Sequence, residues 1–146
     1  MFASFVFQPN FLNAQNGCFE VDWSYNYGGS ARDWGNDFEL TNDGGYIMSG
    51  YTRSDDLDVG SNNGDWDFWI IKIDDQGQLQ WEKNYGGTLN DEATSVQQTA
   101  DGGYVVAGST SSDNGDISFN NGDEDFWVIK LNPSGNLEWE KTYGGT

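Results

Sequence analysis

Apolar and polar residues alternate with a period of two over much of this chain. Near its end, Leu137, Trp139, Lys141 and Tyr143 fall on one side, and Glu138, Glu140 and Thr142 on the other. That period belongs to a β-strand with one wet face. The run FWIIKI at 68–73 is apolar on both sides as far as Lys72, which suits a strand covered on two faces. Turn signals separate such runs. ADGG at 100–103 holds an Asp-Gly pair that tolerates positive φ, and NPSG at 132–135 holds a proline that presets φ.

The pattern is also written twice. DGGYIMSG at 43–50 returns as DGGYVVAG at 101–108, and YGG occurs at 27–29, 85–87 and 143–145, each time 58 residues on. Trp23, Trp81 and Trp139 keep the same interval, as do DFW at 67–69 and 125–127. One copy contains four strand-like runs: 92–99, 104–110, 126–131 and 136–145. A repeat of this length with four short antiparallel strands predicts an all-β chain of β-propeller-like blades. A solenoid coil is usually shorter, and a sandwich is not expected to repeat so strictly. The predicted organisation is an N-terminal segment at 1–18, a last strand of a preceding blade at 19–29, blade 1 at 30–87 and blade 2 at 88–146. Two blades and a strand do not close a ring. Further blades in cis, or self-association, are therefore expected.

The segments DGGYIMSGYTRSDD at 43–56 and DFWIIKIDDQGQLQWEKNYGG at 67–87, with their later copies, resemble the bacterial SBBP-type β-propeller repeats. Similar repeats occur in secreted and cell-surface proteins of Bacteroidetes. The resemblance covers 23–146 and implies a propeller scaffold in a secreted or cell-surface setting. It implies no reaction, because a scaffold does not dictate chemistry.

Charge narrows the partners. The chain has 24 acidic residues against 6 basic ones, a formal charge of −18. Such a field repels nucleic acid and anionic lipid and favours cations, neutral sugars or basic partners. With 7 Trp, 7 Tyr and 9 Phe the chain is too aromatic to be disordered. The single cysteine, Cys18, rules out an internal disulfide framework, and no apolar run is long enough to span a membrane. The apolar leader FASFVFQPNFLNAQ resembles a signal-peptide remnant, although it lacks the basic start that such peptides carry.

Residues kept in both copies serve what both copies share. These include Asp33/Asp91, Asp43/Asp101, Phe68/Phe126, Trp69/Trp127, Lys72/Lys130, Trp81/Trp139 and Tyr85/Tyr143. The aromatics are expected to fill the space between units and the lysines to pair with carboxylates. One kept feature has candidate chemistry. Asp55, Asp58, Asn62, Asp65 and Asp67 recur as Asp113, Asp116, Asn120, Asp123 and Asp125. Oxygen-rich loops of this kind are what Ca²⁺ takes, though the spacing is not an EF-hand. An Asx-rich loop bonding its own backbone has the same composition.

Residues present in only one copy are freer to recognise something. Trp34 and Trp66 stand where the second copy has Glu92 and Glu124; Tyr51 and Arg53 are matched by Ser109 and Ser111. An indole beside carboxylates is a candidate sugar-binding surface; a Trp packed under its own loop is the plain alternative. With no histidine, no paired cysteine and no phosphate-binding glycine motif, only carboxylate-pair chemistry of the glycosidase type survives. The leading expectation is a non-catalytic structural or protein-interaction module with no obligate cofactor. The second is a carbohydrate-binding module with calcium as a candidate assistant, and the third a glycosidase fragment.

Overall fold

A computed structural model of the chain describes residues 3–5 and 23–145. Ten strands are present: β1 (Ala3–Phe5), β2 (Tyr25–Tyr27), β3 (Asp33–Leu40), β4 (Tyr46–Thr52), β5 (Asp67–Ile73), β6 (Leu79–Tyr85), β7 (Asp91–Gln98), β8 (Tyr104–Thr110), β9 (Asp125–Leu131) and β10 (Leu137–Tyr143). β1 pairs with β2. The rest form two four-stranded antiparallel meanders, β3-β4-β5-β6 and β7-β8-β9-β10. Among the described residues no helix is long and apolar enough to cross a membrane. Apart from Ala3–Phe5, the predicted signal-peptide segment at 1–18, with Cys18, lies outside the described residues.

The alternating pattern sets each meander, and the duplicated sequence gives duplicated registers. Asp33 pairs with Thr52 as Asp91 pairs with Thr110. A bulge between Gly35 and Asp37 is matched by one between Ala93 and Ser95. The Asp-Gly turn closes β3 onto β4. Thr41 N–H donates to the Gly45 carbonyl at 2.9 Å, and Gly44 adopts φ 86°. Asp43 is clamped there. It accepts from the Thr41 hydroxyl and lies 2.9 Å from the buried Lys72 ammonium. That hydroxyl bond, aided by Lys72, pulls its carboxyl down to about 2. Lys130 holds Asp101 in the same way, at 3.0 Å.

The two sheets pack face to face. Ile47, Phe68, Ile70 and Tyr85 of the first lie against Ala93, Val96, Val106, Trp127 and Ile129 of the second in one core. Phe68 and Trp127 meet with ring centroids 4.5 Å apart. Full burial of such side chains contributes roughly 2–3 kcal/mol each. A second core, on the opposite face of the first sheet, gathers Tyr27, Met48, Val59, Trp69, Ile71 and Ile73.

This packing corrects the propeller expectation and, with it, the resemblance to SBBP repeats. The chain is all-β with two antiparallel sheets packed against each other in a sandwich-like manner, neither closed nor curled into a radial ring. The physical reason is that a strand-level repeat specifies each meander and its apolar faces. It does not specify the angle at which one sheet meets the next. The aromatics Phe68, Tyr85 and Trp127 fill the inter-sheet space, joined by Tyr104, but Phe126, Trp139 and Tyr143 lie exposed.

Candidate functional site

Four residues that the second copy lacks are brought together by the first sheet. Trp34 on β3 stands opposite Tyr51 on β4, and Tyr51 opposite Phe68 on β5, so one row of the sheet carries all three rings on one face. Phe68 is swallowed by the inter-sheet core, whereas Trp34 stays 46% exposed. Trp66, the residue before β5, closes onto this row from the loop. Its ring meets Tyr51 edge-on with centroids 5.1 Å apart and planes at 88°, and Trp34 lies 6.4 Å from Tyr51. Such edge contacts hold aromatic rings in fixed orientation.

Arg53 completes the cluster. Its guanidinium carbon lies 5.2 Å from the Trp66 ring centroid, and it also pairs with Asp65. The loop therefore presents a braced, half-open indole with a fixed cation on it. The second sheet supplies carboxylates to the same neighbourhood. Burial, followed by the charge of Glu92, raises the Tyr51 hydroxyl above its usual range. Glu92 is itself raised by burial and by Glu124. Glu92 and Glu124 occupy in the second copy the positions of Trp34 and Trp66. Their contribution to the first copy's cluster was not visible in the sequence, because nothing in it placed the two sheets in register. Trp66 also ties the sheets together directly, its carbonyl accepting the Asp91 N–H at 2.6 Å.

The ten loop residues with metal-type oxygens are placed differently. Asp67 and Asp125 accept from the Asn63 and Asn121 amides at 2.6 and 2.7 Å. Asp58 and Asp116 accept from the Gly28 and Gly86 amides at 3.3 and 3.1 Å. Asn62 and Asn120 donate to the Thr52 and Thr110 carbonyls and accept from Gly64 and Gly122. Asp65 faces Arg53, and Asp55, Asp113 and Asp123 are exposed. The oxygens thus stitch loops to strands, the behaviour of Asx turns. Among the described residues no group of three or more His, Cys, Asp or Glu is assembled to hold a metal ion.

A tighter acidic knot lies at the junction of the two sheets. Asp91 accepts from the Gly87 amide at 2.7 Å and from the Thr110 and Ser112 hydroxyls. Asp67 is buried beside it, with one carboxylate oxygen lacking a partner among the described residues. Burial, then the charges of Asp91 and Asp116, pushes the Asp67 carboxyl up to about 6. Asp91 and Asp116 are also raised by burial. No protein-family model matches this chain, and no curated protein matches it either.

Proposed function

We propose that the chain is a non-catalytic carbohydrate-binding module and that the Trp34–Tyr51–Trp66 cluster is its binding surface. The reading as a propeller-repeat scaffold falls with the propeller, whereas sandwich-like packing leaves a rigid platform for this surface. One observation carries the proposal: three aromatic rings that the second sheet does without touch one another at the sheet edge, braced by Arg53 and flanked by carboxylates. A pyranose presents an apolar C–H face to an indole and hydroxyls to carboxylates. Asp65 and Glu92 are the acceptors for those hydroxyls, and Arg53 is the donor. The platform needs no reorganisation, which lowers the entropic cost of capture.

A glycan array followed by titration calorimetry tests this. Saccharide binding is expected to fall about tenfold or more, roughly 1.4 kcal/mol, in Trp34→Ala and in Trp66→Ala. The same loss is not expected in Phe119→Ala, an exposed aromatic of the second unit. Chelator is expected to leave binding unchanged, since Asp58, Asp67, Asp116 and Asp125 already hold backbone amides. A blank array, or binding indifferent to both tryptophans, defeats the proposal. Display outside the cell, secreted or surface-held, belongs to the same reading and is checked by protease accessibility on intact cells.

A further inference from the structure

Two buried carboxylates face each other where the sheets join. Asp67 opens β5 in the first sheet, Asp91 opens β7 in the second, and both are 0% exposed. Gly86, in the link between the sheets, lies against both. A Cβ there would stand 2.7 Å from Asp91 Oδ2 and closer still to Asp67 Oδ1, so the two oxygens converge on one point. The upstream copy of this cup holds one acid. Asp33, the counterpart of Asp91, likewise accepts from a glycine amide, a threonine and a serine: Gly29, Thr52 and Ser54. The atoms nearest to a Cβ at Gly28 all belong to Asp33.

The two acids are equipped differently. Asp91 accepts from the Gly87 amide and from the Thr110 and Ser112 hydroxyls, and such donors favour the charged form. Asp67 accepts from the Asn63 amide on Oδ2, while Oδ1, the oxygen that faces Asp91, has no partner among the described residues. The third acid nearby, Asp116, accepts from the Gly86 amide at 3.1 Å and itself feels the charge of Glu140. None of the ion pairs among the described residues reaches Asp67, Asp91 or Asp116. Two negative charges side by side, out of water and without a cation, repel strongly. A proton on Asp67 Oδ1 removes one charge and supplies a donor toward Asp91. Burial, then the charges of Asp91 and Asp116, hold that proton on until about 6.

We infer that Asp67 and Asp91 share one proton across the seam and that losing it loosens Trp66, so that the aromatic surface is firm in mildly acidic medium and slackens once both acids are charged. The mechanical link is short. Trp66 precedes Asp67, and its carbonyl accepts the Asp91 N–H at 2.6 Å. Repulsion between the two carboxylates therefore pulls directly on that bond. The indole of the same residue makes the edge contact to Tyr51 and lies under the Arg53 guanidinium. The consequence for a ligand rests on the sugar-binding reading; the proton and its effect on the seam do not.

Carbon NMR of the aspartate carboxyls, on the whole chain between about pH 4 and pH 8, tests the shared proton. The Asp67 and Asp91 carboxyl carbons are expected to move together in one step near pH 6. The Asp91 amide proton and the Trp66 indole N–H are expected to shift with the same midpoint. Asp67→Asn, which keeps a donor toward Asp91 and carries no charge, is expected to abolish the step and leave both signals fixed. If that variant does not fold, the wild-type titration decides alone. An Asp67 carboxyl that titrates below about 4.5 overturns the shared proton. A step near pH 6 that leaves the Asp91 amide and the Trp66 indole unmoved overturns the link to Trp66. In calorimetry, saccharide binding is expected to weaken several-fold across the step in the wild type and not in Asp67→Asn. Wild-type affinity that ignores a verified step overturns the control of the surface. A blank glycan array defeats the sugar reading instead, and the NMR step then decides the inference.

Discussion

The two four-stranded sheets share strand order, register and bulge positions, yet their surroundings differ. Every residue of β5 is buried, whereas β9, which keeps Phe, Trp and Lys at the same positions, leaves Phe126 outside. The first sheet lies between two cores, and the second has one. Burial is therefore a property of what stacks on a strand as much as of the strand itself. The second difference is chemical. The row that ends in Trp34 and Tyr51 in the first sheet ends in Glu92 and Ser109 in the second. The scaffold recurs in both copies, whereas the rim chemistry does not.

The largest expected effect tests that contrast directly. Phe68→Ala empties the inter-sheet core beside Trp127 and is expected to cost about 3–5 kcal/mol. Phe126→Ala, at a half-exposed position, is expected to cost under about 1 kcal/mol. Chemical denaturation of the two variants decides, and equal losses would abolish the distinction between the sheets.

Asp67 comes next. Its carboxyl titrates near 3.8 when unfolded and at about 6 when folded. The folded state therefore holds the extra proton between those values. Stability falls as pH rises through this window, and the full penalty remains above it. Asp67→Asn is expected to gain up to about 3 kcal/mol at pH 7 and close to nothing at pH 3.5. Thermal melts of both proteins across that range check the sign. A wild-type chain that grows more stable from pH 4 to 6 would contradict it, provided Asp67→Asn shows the same slope.

The smallest effect concerns one hydrogen bond. The Trp127 indole donates to Glu140 at 3.0 Å. At the same positions in the first sheet, the Trp69 indole nitrogen and one Glu82 oxygen are buried without partners among the described residues. Glu140→Gln is expected to cost about 1 kcal/mol and Glu82→Gln close to nothing. Equal costs in urea titrations would mean that the two sites are equivalent after all.

Much of this was legible in the residues. Alternation predicted the strands, Asp-Gly and Asn-Pro-Ser-Gly predicted the turns, and the lysines were expected to find carboxylates, as Lys72 and Lys130 do. Comparing the copies isolated Trp34, Tyr51, Arg53 and Trp66, which do lie together. The stacking of the sheets was not legible. Period and spacing act within a meander, while the approach of two meanders is set by side-chain shapes on faces far apart in sequence. For the same reason the sequence shows Glu92 only as the counterpart of Trp34, not as a charge that reaches Tyr51 across the seam. The oxygen-rich loops were ambiguous because a cation and a backbone amide prefer the same ligands. Here amides occupy most of them.

The bulges on β3 and β7 have a bearing on solubility. An edge strand with a regular ladder invites another strand to zip alongside it, the route to amyloid-like growth. One extra residue in each edge breaks that ladder. Asn36 at the first bulge is turned aside, its amide donating to the Ala93 carbonyl at 2.6 Å, and Thr94 at the second donates to the Ala107 carbonyl at 3.2 Å. Strand-by-strand growth along these two edges is thereby discouraged.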